Sequence, residues 1–167
     1  MALTLNGSSN VITPVSAVQP AGAILQVVSS STTTSFSTSS TSFVDLTGMS
    51  IAITPTSSSS KILILTSINA DYVAQTNVVN LVSTQLLRGS TAIATKATYM
   101  GVDVSNNGYC YVPFILSYMD LDSPSTTSST TYKVQGKLGN SNNNAEFRIN
   151  IESSNMTSEL IAMEIAA

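Results

Sequence analysis

Asp103, Ser105, Asn107 and Gly108, in the run "DVSNNG", put oxygen-bearing side chains at alternate positions and a glycine at the sharp turn, as the opening of a calcium-binding loop does. Such a loop closes on a bidentate Glu at its twelfth position, where Phe114 stands here. The run therefore reads as a hairpin turn, with "SNNG" supplying the Asn and Gly that tolerate positive φ. Asp120 and Asp122, in "MDLDSP", share one face of an extended chain and could serve as paired carboxylates or a metal clamp. Nothing in the sequence complements them, so they read as a solvated strand end before the turn at Ser123 and Pro124. Hydrolysis of a glycoside by two acids needs them to face each other across a cleft at roughly 5 to 10 Å, and nothing in the sequence shows such a facing pair.

The chain has no histidine, which removes the usual general base and the commonest metal ligand. A single cysteine, Cys110 in "YCYVPF", excludes an intramolecular disulfide and reads as a buried thiol. No glycine-rich phosphate loop precedes a helix, and zinc lacks its ligands. The sequons at Asn6 ("NGS") and Asn155 ("NMT") are matches of form only. A flat Thr array of the ice-binding kind would need a regular short repeat, which the chain lacks. We therefore expect no enzyme, no metal and no cofactor.

The elements around these residues follow from composition and pattern. The 167 residues suit one domain, 43% of them hydrophobic and only 9% charged, so Ser, Thr and Asn must supply the exterior. Six basic residues without a cluster exclude a phosphate-neutralising face, so no nucleic-acid partner is expected. Runs such as "KILIL" and "YVPFIL" are far too short to span a membrane, and Met1 is followed by no basic-then-apolar signal, so neither membrane insertion nor a secretory route is expected.

Short apolar runs punctuated by Pro, Gly and Ser/Thr clusters predict an all-β fold of two packed antiparallel sheets. Expected strands are Ala23 to Val28, Phe43 to Leu46, Ser50 to Thr54, Lys61 to Ile68, Val78 to Leu87, Ala92 to Thr98, Tyr109 to Met119, Tyr132 to Leu138, Glu146 to Ile151 and Glu159 to Ile165. "VVNLVSTQLL" and "ELIAMEIAA" also fit helices; strand is the expectation for both. In "FRINIE", Phe147, Ile149 and Ile151 should face the core, and Arg148, Asn150 and Glu152 the solvent. "TPTSSSSK" and "GNSNNN" read as loops. The tract "SSSTTTSFSTSSTSF", Ser29 to Phe43, reads as polar strand and turn: Thr favours strands, Phe36 and Phe43 recur in it, and apolar strands flank it.

The strand "YCYVPFILSYM" is apolar on both faces, with Cys110, Val112, Phe114 and Leu116 on one and Tyr111, Pro113 and Ile115 on the other. Two apolar faces imply a second covering surface, so Tyr111, Val112, Phe114, Ile115 and Leu116 are expected at the core and a subunit interface of a homo-oligomer.

The opening "MALTLNGSSNVITPV" resembles the starts of short tail-fibre and virion proteins of marine, cyanophage-like bacteriophages. "AGAILQVVSSSTTTSFSTSSTSFVDLTGMSIAITPTSSSSKILI", "LLRGSTAIA", "LDSPSTTSSTTYKVQ" and the closing "LIAMEIAA" resemble later blocks of the same family. The resemblance implies a jelly-roll head of the complement and tumour-necrosis-factor type, assembled as a homotrimer and exposed on the virion after assembly in the host cytoplasm. It implies partners among other tail or capsid proteins. Residues 1–22 are expected to form an extended docking arm, with Leu3, Leu5, Val11 and Ile12 as its contacts, and residues 23–167 the sandwich. "VQPAGA" leads straight into the sandwich without the long spacer of many relatives, which favours a compact knob over an extended fibre. The favoured expectation is a fibre or knob that attaches to the host surface; the alternative is a capsid decoration protein without receptor binding. Asn140, Asn142, Asn143 and Asn144 are candidate contacts to a host glycan because amides pair donors and acceptors with sugar hydroxyls; a solvated loop is the other reading.

Overall fold

The computed structural model describes residues 19–75, 78–102, 109–151 and 156–167. The hydroxyl-rich tract forms the end of β1 (Ile24–Thr32) and all of β2 (Phe36–Thr38), and β3 (Val44–Ile53) follows. Then come β4 (Lys61–Gln75), β5 (Val78–Arg88), β6 (Thr91–Val102), β7 (Tyr109–Leu116), β8 (Met119–Asp122), β9 (Thr130–Leu138), β10 (Glu146–Ile149) and β11 (Ser158–Ile165). A single 3-10 turn, Asn142–Asn144, precedes β10.

One sheet runs β1-β11-β4-β10-β2, with β7 and β8 on the other edge of β4; the second runs β3-β9-β5-β6. The pairs nest from the outside inward: β1 with β11, β3 with β9, β4 with β7 and β8, β5 with β6. Nested antiparallel pairing across two sheets is a jelly roll. Strand β4 is its spine, taking β11 and then β10 along one edge and β8 and then β7 along the other. Strands β7 and β8 keep one register on β4 and part only at Ser117 and Tyr118. There Thr66 Oγ1 accepts from the Tyr118 amide at 2.8 Å in place of a carbonyl.

The core lies between the sheets, with Met49, Ile53, Ile62, Ile64, Tyr132 and Phe147 fully buried. Gly136 on β9 makes room for Phe147: a Cβ there would lie 2.4 Å from Cε1 of that ring. The Phe147 ring stacks on Phe114 at 6.2 Å between centroids, coupling β10 to β7. Gly48 sits at φ +81 in the irregular middle of β3, and a side chain there would collide with Thr32.

"VVNLVSTQLL" and "ELIAMEIAA" lie in strands, as expected, and the tract from Ser29 to Phe43 is strand and turn. The boundaries differ in instructive places. The two expected strands from Phe43 to Thr54 are the single β3, kinked near Gly48. Strand β4 continues past Ile68 to Gln75 because the charge of Asp71 inside it is matched across the ladder by Arg148. Strand β10 stops at Ile149, and Asn150 turns to φ +53. Arg148 and Asn150 are therefore buried rather than solvated, the first by its ion pair and the second by hydrogen bonds. The "SNNG" turn and the oxygen-rich run from Asp103 to Gly108 lie outside the described residues; the strands flanking them, β6 and β7, belong to different sheets.

Candidate functional site

The outward face of the larger sheet is apolar where β1, β11, β4 and β8 run side by side. Register places Val27, Met163, Leu63 and Leu121 in one row and Ile161, Leu65 and Met119 in the next, beside Ser29. Alternation makes this the side away from the core. The central residues are half-buried by their neighbours, while Met119 is 79% exposed, Val27 54% and Leu121 53%. At a strand spacing of ~4.8 Å the patch is about 14 Å wide, and Ile115 extends it along β7.

The outward face of the smaller sheet is polar across β3, β9 and the middle of β5, while Val79 and Tyr99 stand exposed on the same face. Gln85 donates to Gln135 at 2.6 Å, Gln135 donates to Asp45 at 2.7 Å, and Lys133 pairs with Asp45 at 2.9 Å. Hydrogen bonds from Lys133 and Gln135 hold the Asp45 carboxyl below its ordinary value.

Farther along β4 the larger sheet turns polar. Tyr111, Val73 and Glu146 form one row, and Pro113, Asp71, Arg148 and Ser37 the next. Arg148 Nε donates to Asp71 Oδ1 at 2.7 Å and a second guanidinium nitrogen donates to Oδ2, a two-pronged pair with both groups buried. The guanidinium carbon lies 4.9 Å from the centroid of the Tyr111 ring. Above these rows is an open recess of about 590 Å3, bounded by Ser39, Tyr111, Glu146, Arg148 and the 3-10 turn through Ser141 and Asn144. The turn is held from below: Asn80, buried, donates to the Asn140 carbonyl at 2.7 Å and accepts from its amide at 3.1 Å. An apolar hollow of about 200 Å3, lined by Pro113, Phe114, Ile115, Ile151 and Met156, lies beside Asp71 and Asn150.

The residues singled out from sequence separate accordingly. Leu116 lies in the core and Val112 and Phe114 pack against it, while Tyr111 and Ile115 project outward, Tyr111 into the recess and Ile115 toward the apolar patch. Of the loop asparagines, Asn144 lines the recess with φ +52, and Asn140 accepts from the Asn142 amide at 3.3 Å. Asn142 is exposed, and the side chain of Asn143 lies outside the described residues. So do Leu3, Leu5, Val11, Ile12, the Cys110 side chain and the sequon residues Asn6 and Asn155.

Asp120 and Asp122 share the inward face of β8, but the pair is not a solvated strand end. Asp122 accepts from Arg88 at 2.8 Å and from the Tyr132 hydroxyl at 2.7 Å, and burial together with that carboxylate raises the Tyr132 pKa. Among the described residues no group of His, Cys, Asp and Glu is placed to hold a metal, and no helix is long and apolar enough to cross a membrane.

The apolar patch had a legible signal beyond β7: in "ELIAMEIAA" apolar residues occupy both alternations, as they do in a strand covered on two sides. Glu146 in the recess and the pair of Asp71 and Arg148 at its edge had none, because they meet only through the register of β4 with β10.

No family model matches the sequence, and no curated protein matches it. Among solved structures the chain is similar to the VP2 protein of infectious bursal disease virus. A mutant VP2 in derived T=1 particles aligns with TM-score 0.33 and 14% identity, over 100% of this chain and 41% of that one. A chain of the T13 viral particle of the same virus aligns with TM-score 0.34 and 14% identity, over 100% of this chain and 40% of that one. The chain thus spans about two fifths of the length of these proteins. The jelly roll is read from the strand pairing itself.

Proposed function

We propose that this chain is a structural protein of a phage virion: a homotrimeric fibre head or knob that attaches the particle to the host surface. The apolar outward face of β1, β11, β4 and β8 carries this reading. Exposed apolar patches that span several strands are unusual on a monomer, and across β3, β9 and the middle of β5 the opposite sheet carries hydrogen-bonded polar groups instead. The patch supports a covering partner on that face, and a second copy supplies one wherever the chain is concentrated in an assembly. The count of three and the place on a virion come from the sequence resemblance. Apolar burial contributes about 25 cal/mol per Å2, so a contact near ~800 Å2 per partner outweighs the ordering of a rigid sandwich.

Static light scattering tests the assembly. Three chain masses are expected at micromolar concentration, falling to one in Met119→Glu combined with Leu121→Glu; a wild-type monomer overturns the reading. Cryo-electron reconstruction of the virion tests the placement. Threefold density on a tail or head fibre supports attachment, and density spread over the shell lattice makes decoration the function instead.

A further inference from the structure

We propose that the recess between Tyr111, Glu146 and the Ser141 to Asn144 turn binds an uncharged saccharide of one or two rings, an assignment that rests on the attachment reading. Its size, about 590 Å3, falls within the range of ligand pockets, roughly 300 to 1,000 Å3. Its lining suits a polyhydroxyl ligand. A sugar hydroxyl both donates and accepts, and it meets a carboxylate that accepts and the hydroxyls of Ser39 and Ser141. The exposed part of the Tyr111 ring supplies an apolar surface for the C–H face of a sugar.

Glu146 argues most directly for a ligand. It is half-buried at the edge of the recess, yet its carboxylate has no hydrogen bond or ion pair among the described residues. A partly desolvated carboxylate gains from any donor that reaches it, and hydroxyl pairs are such donors. Glu146 also fixes the charge of the ligand. The charge of Arg148 is matched by Asp71, so Glu146 remains uncompensated and disfavours uronic acids, sialic acids and phosphorylated sugars.

The wall is preorganised, because Asn80 holds the loop through Asn140. The recess also lies away from the centre of the apolar patch: Val73 is ten residues along β4 from Leu63, about 33 Å of strand, and four from Asn69, the partner of Ile115, so copies packed on the β1, β11 and β8 end of the patch leave the recess open.

Saturation-transfer NMR on the full chain tests the site, with glucose, galactose, mannose and N-acetylglucosamine as probes and glucuronic acid, sialic acid and glucose 6-phosphate as counter-probes. Transfer from at least one neutral sugar is expected, weakened tenfold or more in Glu146→Gln and in Tyr111→Ala, with the assembly mass and Tm of Glu146→Gln unchanged. No transfer from any neutral sugar at tens of millimolar, transfer from the anionic probes alone, or transfer that Glu146→Gln leaves intact overturns the proposal. Labelled protein that still adsorbs to bacterial cells after Glu146→Gln also overturns the site, but leaves the attachment reading standing.

Discussion

The Ser158 hydroxyl donates to Asn150 Oδ1 at 2.8 Å, and this bond joins the start of β11 to the residue that ends β10. The same Asn150 amide donates to the carbonyls of Thr32 and Thr34, and its own carbonyl accepts from Ser35 at 2.9 Å. The hydroxyl-rich tract is thus fastened to the sheet by one buried side chain in a left-handed conformation. Replacing Asn150 by Ala leaves several buried polar groups without partners and adds strain at φ +53. Loss of about 2–4 kcal/mol in urea unfolding is expected, with faster amide exchange around Thr32 to Ser37. Asn150→Gly, which relieves only the strain, should recover a minor part of that loss.

Gly136→Ala should destabilise the fold by about 1–3 kcal/mol, because its Cβ lies too close to a ring that is fully buried and stacked on Phe114. Combining it with Phe147→Leu should cost less than the sum of the two single changes, measured as a double-mutant cycle. Additive losses would mean that the ring and the glycine do not compete for the same space.

Glu164 predicts an acid-labile corner. Burial opposes its charge, but hydrogen bonds from the Gln26 amide and from the Thr56 hydroxyl and backbone N–H outweigh burial and hold the carboxyl at about 2, below its ordinary 4.5. A lowered pKa in the folded state stabilises the charged form. This contribution is therefore fully present above pH 4.5 and is lost as pH falls through about 2. Urea midpoints measured from neutrality downward should decline over that window, and more shallowly in Glu164→Gln.

The Asp71 and Arg148 pair should punish single changes more than a double one. Arg148→Met strands a buried carboxylate and is expected to cost about 3–5 kcal/mol, whereas Asp71→Leu with Arg148→Met removes both charges and should cost less than either single variant. Equal losses in all three variants would indicate a role in packing rather than charge.

Much of the sandwich was legible because alternation and turn chemistry act locally. Runs such as Val78 to Leu87, with β-branched residues and a following Arg-Gly turn, sit where the pattern puts them. The errors arose where a distant residue overrides a local cue. Asp71 looks like a strand end until Arg148 faces it, and Asp122 looks solvated until Arg88 and Tyr132 reach it from the other sheet. The apolar patch was half visible, because a strand with two apolar faces announces a second cover without naming the neighbours that widen it. The recess was invisible, since Tyr111 and Glu146 come from separate strands and share a row only through β4.

The pairing of β1 with β11 also sets a schedule for synthesis. Gln26 meets Glu164 across 138 residues of sequence, so β1 leaves the ribosome long before its partner exists. At about 5–20 residues per second the wait is roughly seven to thirty seconds. Throughout it, the edge of β1 and the apolar row on β4 stand open to other nascent chains. The same exposed strands that are proposed to pair copies in an assembly leave the newborn chain open to premature association.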